Sequence, residues 1–332
     1  MVSGNDAQYA ALGRAKRLRT VLGVHSPRGF CVAGGSPIAW QRQYAVGPDA
    51  GAGIAQPVIC LHDAGSGGRE FYRLLDRVPV GSQLLLLDWP GHGRSADLPE
   101  PTEFSIELCS SRLNTCLDQL GVARPILLCN GFGAAVAIHF ASCHPSRVAG
   151  LVLCQPAGLV HAADGVDKAA RTSGPGHRQA LRVELVRLAL RRYCDEALTS
   201  LRQSEATLRV ALISLSCPVL FALCDRSDGY PLRSYLDLLD PLLKSAPQHR
   251  LTVFSGDFNP IWDEPERFAQ ALSAFVQGQL PFSRHHHAWL LAAVDWPTRG
   301  MNHWKCVHPE CTAEQVLPEE RNANDLTAAR QN

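Results

Sequence analysis

An excess of charge of either sign is missing from this chain: Lys and Arg number 32 against 31 Asp and Glu in 332 residues. Nucleic acid is therefore not expected as a partner. Also missing is an apolar run long enough to span a bilayer, so no transmembrane segment is expected. The first residues lack the long apolar core of a secretory signal. Acidic residues are absent from Ala7 to Val46, where Arg14, Lys16, Arg17, Arg19, Arg28 and Arg42 stand. That stretch fits an organelle transit peptide or a plain basic surface arm, and the expected localisation is intracellular, cytoplasmic or mitochondrial. Internal repeats and low-complexity tracts are absent.

What is there is apolar enough, at 46% hydrophobic residues, to bury a large core. Of twelve cysteines, Cys60, Cys129, Cys154, Cys217 and Cys224 lie in or beside apolar runs. Thiols so placed behave as small hydrophobes rather than as halves of a secreted disulfide framework. Apolar runs alternate with helical spacing through the middle of the chain, which predicts a mostly parallel sheet with helices on both faces. Strands are predicted at Ile38–Val46, Pro57–His62, Gln83–Asp88, Ile126–Cys129, Val148–Cys154, Cys217–Leu223 and Arg250–Phe254. Helices are predicted at Arg69–Val78, Ser105–Leu120, Phe132–Cys143, Tyr235–Lys244 and Pro265–Val276. Residues 1–37 read as a basic arm, 38–156 and 215–279 as the core, 157–214 as a helical lid inserted in the sheet, and 280–332 as a C-terminal extension.

Two short motifs carry the chemistry. Asp88-Trp89-Pro90-Gly91-His92-Gly93-Arg94-Ser95 follows a buried strand and fits D-x-P-G-x-G-x-S. Cys129-Asn130-Gly131-Phe132-Gly133 joins a buried strand to a small-residue helix and has the spacing of the nucleophile elbow G-x-S-x-G. With the order of elements, these resemble the α/β-hydrolase superfamily over roughly Ile38 to Gly278. The resemblance implies an α/β-hydrolase fold and assigns positions to a catalytic site.

Those positions no longer carry the residues that the chemistry needs. Gly131 stands at the nucleophile and has no side chain to attack with. The oxyanion loop aligns with His62-Asp63-Ala64-Gly65, and Asp63 replaces a glycine. A carboxylate there opposes the charge that such a loop stabilises, although the Ala64 amide, with that of Phe132, could still donate. In Asp225-Arg226-Ser227-Asp228 the acid position falls on Asp228, with a turn role as the alternative for either aspartate. Pro260, Pro265, Glu266 and Phe268 set the register of the last loop and put Phe258 at the base, where a phenyl ring accepts no proton. His92 reads as a structural residue. A displaced thiol at Cys129 and a Ser66–His62 pair are the candidates for a rescued activity.

The remaining features point to contacts. Arg178, Arg182, Arg187, Arg191 and Arg192 alternate with leucines in the lid, a basic helix face that is solvated or meets an anionic partner surface. Trp289, Trp296 and Trp304 lie in the extension, packed on the fold or offered to a partner. His303, Cys306, His308 and Cys311 fall within nine residues. Their spacing is a poor match for a tetrahedral site, so no metal or other cofactor is expected; a Cys306–Cys311 disulfide is the other reading. Three functions fit. The first is an inactive hydrolase-like subunit that binds other proteins through the arm and residues 280–332. The second is an ester hydrolase with an atypical nucleophile. The third is a small-molecule receptor whose vestigial pocket is lined by Phe258 and Trp262.

Overall fold

The computed structural model describes residues 27–44, 57–75, 77, 83–160, 177–227, 231–246, 248–256, 259–278, 303–305 and 314–316. Eight strands form one sheet in the order β1-β2-β4-β3-β5-β6-β7-β8. They are β1 (Arg28–Ala33), β2 (Ser36–Tyr44), β3 (Val58–Leu61), β4 (Gln83–Leu87), β5 (Ile126–Asn130), β6 (Gly150–Cys154), β7 (Val219–Cys224) and β8 (Arg250–Phe254). Strands β1, β2 and β4 pair antiparallel, and every other pairing is parallel. The inner strands read as unbroken apolar runs because both faces are covered. Alternate residues divide between two cores. Ile59, Leu85, Leu127, Cys129, Leu151 and Leu153 face one; Val58, Cys60, Leu84, Leu128 and Val152 face the other.

Helices α1 (Ile106–Gln119), α2 (Phe132–Cys143), α3 (His177–Ile213) and α4 (Leu232–Ser245) supply the first core. A 3-10 helix at Gly68–Leu74 and α5 (Pro260–Asp263) and α6 (Pro265–Val276) supply the second. Local chemistry sets several of these ends. The Ser105 hydroxyl accepts the Leu108 N–H at 3.3 Å and starts α1. Pro265 opens α6, where its missing N–H costs nothing. Helix α2 is built from small and apolar residues because it lies between the sheet and two other helices, α1 and α3, and nine of its twelve residues are buried.

The sheet begins earlier than the sequence suggests. Strand β1 lies within residues 1–37, read above as an arm, and forms a hairpin with β2. Its inward residues are the small Cys31 and Ala33, while Phe30 and Val32 are exposed, so the short run at residues 30–33 lacks the polar–apolar alternation of a half-buried strand. The Gln119 side chain closes part of this edge: Oε1 accepts the Val32 N–H at 3.0 Å and Nε2 donates to the Val32 carbonyl at 2.7 Å. The helix expected at Arg69–Val78 is a shorter 3-10 turn that buries Phe71 and Leu74. Between β6 and β7 the insertion consists, where described, of the loop that leaves β6 and the single long helix α3. The short strands β9 (His303–Lys305) and β10 (Glu314–Val316) pair antiparallel as a second sheet.

Candidate functional site

The elbow keeps its backbone. Gly131 lies between β5 and α2 with φ 51° and ψ −116°, a strained conformation that residues with a side chain rarely adopt. Its N–H donates to the Cys154 carbonyl at 3.1 Å, and its carbonyl accepts the Ala134 and Ala157 N–H groups at 3.1 and 3.2 Å. These bonds tie the turn to β6 and to the start of the insertion.

The side chain missing at residue 131 has been replaced from across the loop. An ideal Cβ on Gly131 would have the whole Asp63 carboxyl group within 2.7 Å. Asp63 Oδ1 accepts the Phe132 N–H at 2.7 Å and the Ala64 N–H at 2.9 Å. These amides, one after the elbow residue and one from the loop after β3, are the oxyanion-hole pair of the fold. The expectation that Ala64 remains free to donate is therefore corrected: its N–H is bound to the carboxylate beside it. Burial pushes the Asp63 pKa up to about 6, against the pull of the two amide bonds.

Beneath Asp63 lies a second buried carboxylate, Glu70, in the 3-10 turn. Glu70 Oε2 accepts the Asp63 N–H at 3.1 Å, and Oε1 accepts from the side-chain amides of Asn130 and Asn259, the latter at 2.6 Å. The Ser66 hydroxyl also bonds to it. Glu70 thus joins the elbow, the oxyanion loop and the loop before α5. Burial, with Asp63 alongside, pushes its pKa up to about 7. Sequence reasoning missed this cluster, whose partners lie 60 and 189 positions apart. A glutamate directly before Phe71, in the stretch whose apolar spacing runs on to Leu74, was the signal available.

Both histidines of the site are structural and neutral. His62 Nε2 accepts the Trp89 N–H at 2.9 Å, Nδ1 donates to the Asp63 carbonyl at 2.7 Å, and the His62 carbonyl accepts Trp89 Nε1–H at 2.8 Å. His92 Nε2 accepts the Gly65 N–H at 2.9 Å while Nδ1 donates to the Pro90 carbonyl at 2.8 Å. Burial lowers their pKa values to about 4 and about 3. Neither ring has a nitrogen left for Ser66, so the Ser66–His62 pair does not form. Cys129 is fully buried, and desolvation drives its thiol well above the ordinary range.

Helix α3 covers this end of the sheet. Tyr193 is fully buried against His92 and Phe104, and Phe104 stacks on Phe132 with centroids 4.9 Å apart. The Tyr193 hydroxyl donates to Asp97 at 2.9 Å and accepts the Leu98 N–H at 3.0 Å. Gly91 makes the approach possible, since a Cβ there would collide with the edge of the Tyr193 ring. Next in the helix, Cys194 Sγ lies 2.9 Å from where a Cβ on Gly65 would stand, with its thiol pKa raised to about 11 by burial and then by Asp63. The described arginines of the basic face have partners: Arg191 pairs with Asp195, and Arg192 with Asp97.

Asp228 and Phe258, the assigned acid and base positions, lie outside the described residues, as do Cys306, His308 and Cys311. His303 is placed in β9. Asp225 takes a turn role: it accepts the Gly256 N–H at 3.0 Å and the Ser255 hydroxyl at 3.3 Å. The Trp262 ring lies under the Arg73 guanidinium, 4.7 Å from its centroid, and packs with the second core, on the other side of the sheet from Phe132 and Tyr193. Among the described residues there is no cluster of three or more His, Cys, Asp or Glu side chains that could hold a metal. Nor is any helix among them long and apolar enough to cross a membrane.

A parallel sheet with an elbow at the end of β5 and an oxyanion-hole amide pair beside it defines the α/β-hydrolase class. The family model for the alpha/beta hydrolase fold matches residues 56–280, and the chain belongs to that family. It is similar to lipase LipV of Mycobacterium tuberculosis, 36% identical over 103 residues, which cover 30% of this chain and 37% of the lipase. It is also similar to 2-hydroxy-6-oxo-6-phenylhexa-2,4-dienoate hydrolase of Comamonas testosteroni, 28% identical over 156 residues, 46% of this chain and 49% of the relative. The chain thus spans less than half the length of these curated relatives. Among solved structures, a bacterial membrane phospholipase A superposes with a TM-score of 0.60 at 20% identity, covering 82% of this chain and 92% of that one. A meta-cleavage product hydrolase of Pseudomonas fluorescens superposes with a TM-score of 0.57 at 19% identity, covering 75% and 97%.

Proposed function

We propose that this α/β-hydrolase-fold chain is catalytically inactive and serves as a structural or interaction subunit of an intracellular protein assembly. The observation that carries the reading is the Asp63 carboxylate, which bonds to both oxyanion-hole amides and fills the space of the absent nucleophile side chain. A hydrolase gains its rate by stabilising negative charge that develops at those amides in the transition state. Here a fixed negative group is already there in the ground state. The sequence assigns Phe258 to the base, and the buried Cys129 is no substitute nucleophile. The contacts with other subunits are assigned to the segment before β1 and to residues 280–332, the basic arm and the tryptophan-bearing extension.

The test is co-purification of the full chain at near-native expression, beside a chain truncated after Gln279. A partner held at fixed stoichiometry by the full chain and lost on truncation is the expected result. A chain that sediments as a partner-free monomer from its native source contradicts the subunit role.

A further inference from the structure

The oxyanion hole has lost its reaction but not its geometry. Two N–H donors from separate segments converge on one carboxylate oxygen at 2.7 and 2.9 Å, within the range that a working hole presents to an oxyanion. We infer that Asp63 is an intramolecular ligand acting as an autoinhibitory plug, and that the same amides bind an external monocarboxylate once that plug is withdrawn. This rests on the non-catalytic reading only in taking Gly131 as offering no competing group.

Three features support it. The carboxyl group of Asp63 reaches the place of the missing side chain at residue 131, so the plug occupies the reacting centre itself and not a neighbouring surface. The donors are held independently of that side chain. The Asp63 N–H is fixed on Glu70 at 3.1 Å, and the Asp63 carbonyl accepts from His62 Nδ1 at 2.7 Å and the Ser66 N–H at 3.1 Å. Phe132 starts the twelve-residue helix α2, whose axial dipole favours an anion at this end. The loop therefore keeps its shape when the carboxylate is removed.

The surroundings define the ligand class. Phe132 packs its ring on Phe104 away from water, and Asp63 is desolvated at the loop beside it, which strengthens a charge-assisted hydrogen bond to these amides. Glu70 lies directly behind the hole, and once ionised, above about pH 7, it opposes a second negative charge on the ligand. The two amides meet on a single oxygen, so the site selects one carboxylate over phosphate or a dicarboxylate.

The experiment compares the full-chain wild type with Asp63→Gly, which removes the plug, by titration with sodium acetate against equimolar sodium chloride and sodium phosphate. The readouts are the amide resonances of Phe132 and Ala64 and the thermal midpoint. For Asp63→Gly the expected result is a saturable shift of both amides with acetate, half complete in the millimolar range, and a rise in midpoint that chloride and phosphate do not give. Wild type is expected to bind roughly tenfold more weakly or not at all. A folded Asp63→Gly with no acetate response overturns the proposal, as does a wild type that responds equally. Should Asp63→Gly fail to fold, Asp63→Ser, whose hydroxyl is too short to bridge both amides, is read by the same criteria. Ester turnover by wild type would defeat the inactive reading and leave this binding result standing.

Discussion

A methyl group at residue 131 would meet two penalties, a left-handed backbone and the Asp63 carboxylate. Gly131→Ala is expected to cost roughly 2–5 kcal/mol in urea unfolding, by strain and overpacking together. In the Asp63→Gly background the same change should cost roughly 1–3 kcal/mol, because only the strain remains. Additive costs in that double-mutant cycle would show that the two side-chain positions do not share one space. The buried carboxylates make a separate prediction. Glu70 has a folded pKa of about 7, above its ordinary value of 4.5. Its protonation therefore stabilises the fold fully below about pH 4.5, and that contribution is lost as pH rises through about 7. His62 and His92, with lowered values, act oppositely as pH falls below about 6.5. The difference between wild type and Glu70→Gln isolates the carboxylate: wild type should lose its relative stability from pH 5 to 8. A flat difference curve would place no proton on Glu70.

At the scale of elements, helix α3 is held to the loop after β4 by the buried Tyr193 hydroxyl, beside the Arg192–Asp97 ion pair. Tyr193→Phe leaves the buried Leu98 N–H without its acceptor and removes one of the two donors to Asp97, at an expected cost of about 1–3 kcal/mol. Gly91→Ala should displace the helix, since its Cβ would collide with the edge of the Tyr193 ring. Hydrogen exchange over residues 190–213 checks both, with faster exchange expected in that segment than in α1. Unchanged protection would mean that the helix is anchored elsewhere. The elements themselves were legible where local signals were strong. The leucine run of β4, the Ser105 cap and Pro265 gave bounds that the structure keeps to within a residue or two. Strand β1 was not legible, because it buries only a cysteine and an alanine and its edge is closed by a glutamine 87 residues away.

For the whole molecule, the sequence located the elbow and the oxyanion loop from motifs, and it marked Asp63 as a charge in the wrong place. That the carboxylate completes the hole was not readable, because it depends on how two loops distant in the chain meet. Glu70, Asn130 and Asn259 were hidden for the same reason: a buried polar cluster leaves no periodic trace. On the proposed inactive reading, restoring catalysis takes more than a nucleophile. Gly131→Ser with Phe258→His should remain inactive and less stable, since the new hydroxyl collides with Asp63. Adding Asp63→Gly frees both the space and the amides, and any esterase activity should appear only in that triple variant. The most direct measurement of the central claim is made on the unaltered full chain, with a fluorophosphonate probe and a panel of activated esters read by intact mass and by product release. The account predicts no adduct and no turnover above buffer. One stoichiometric adduct, with turnover abolished when the labelled residue is replaced, would contradict it.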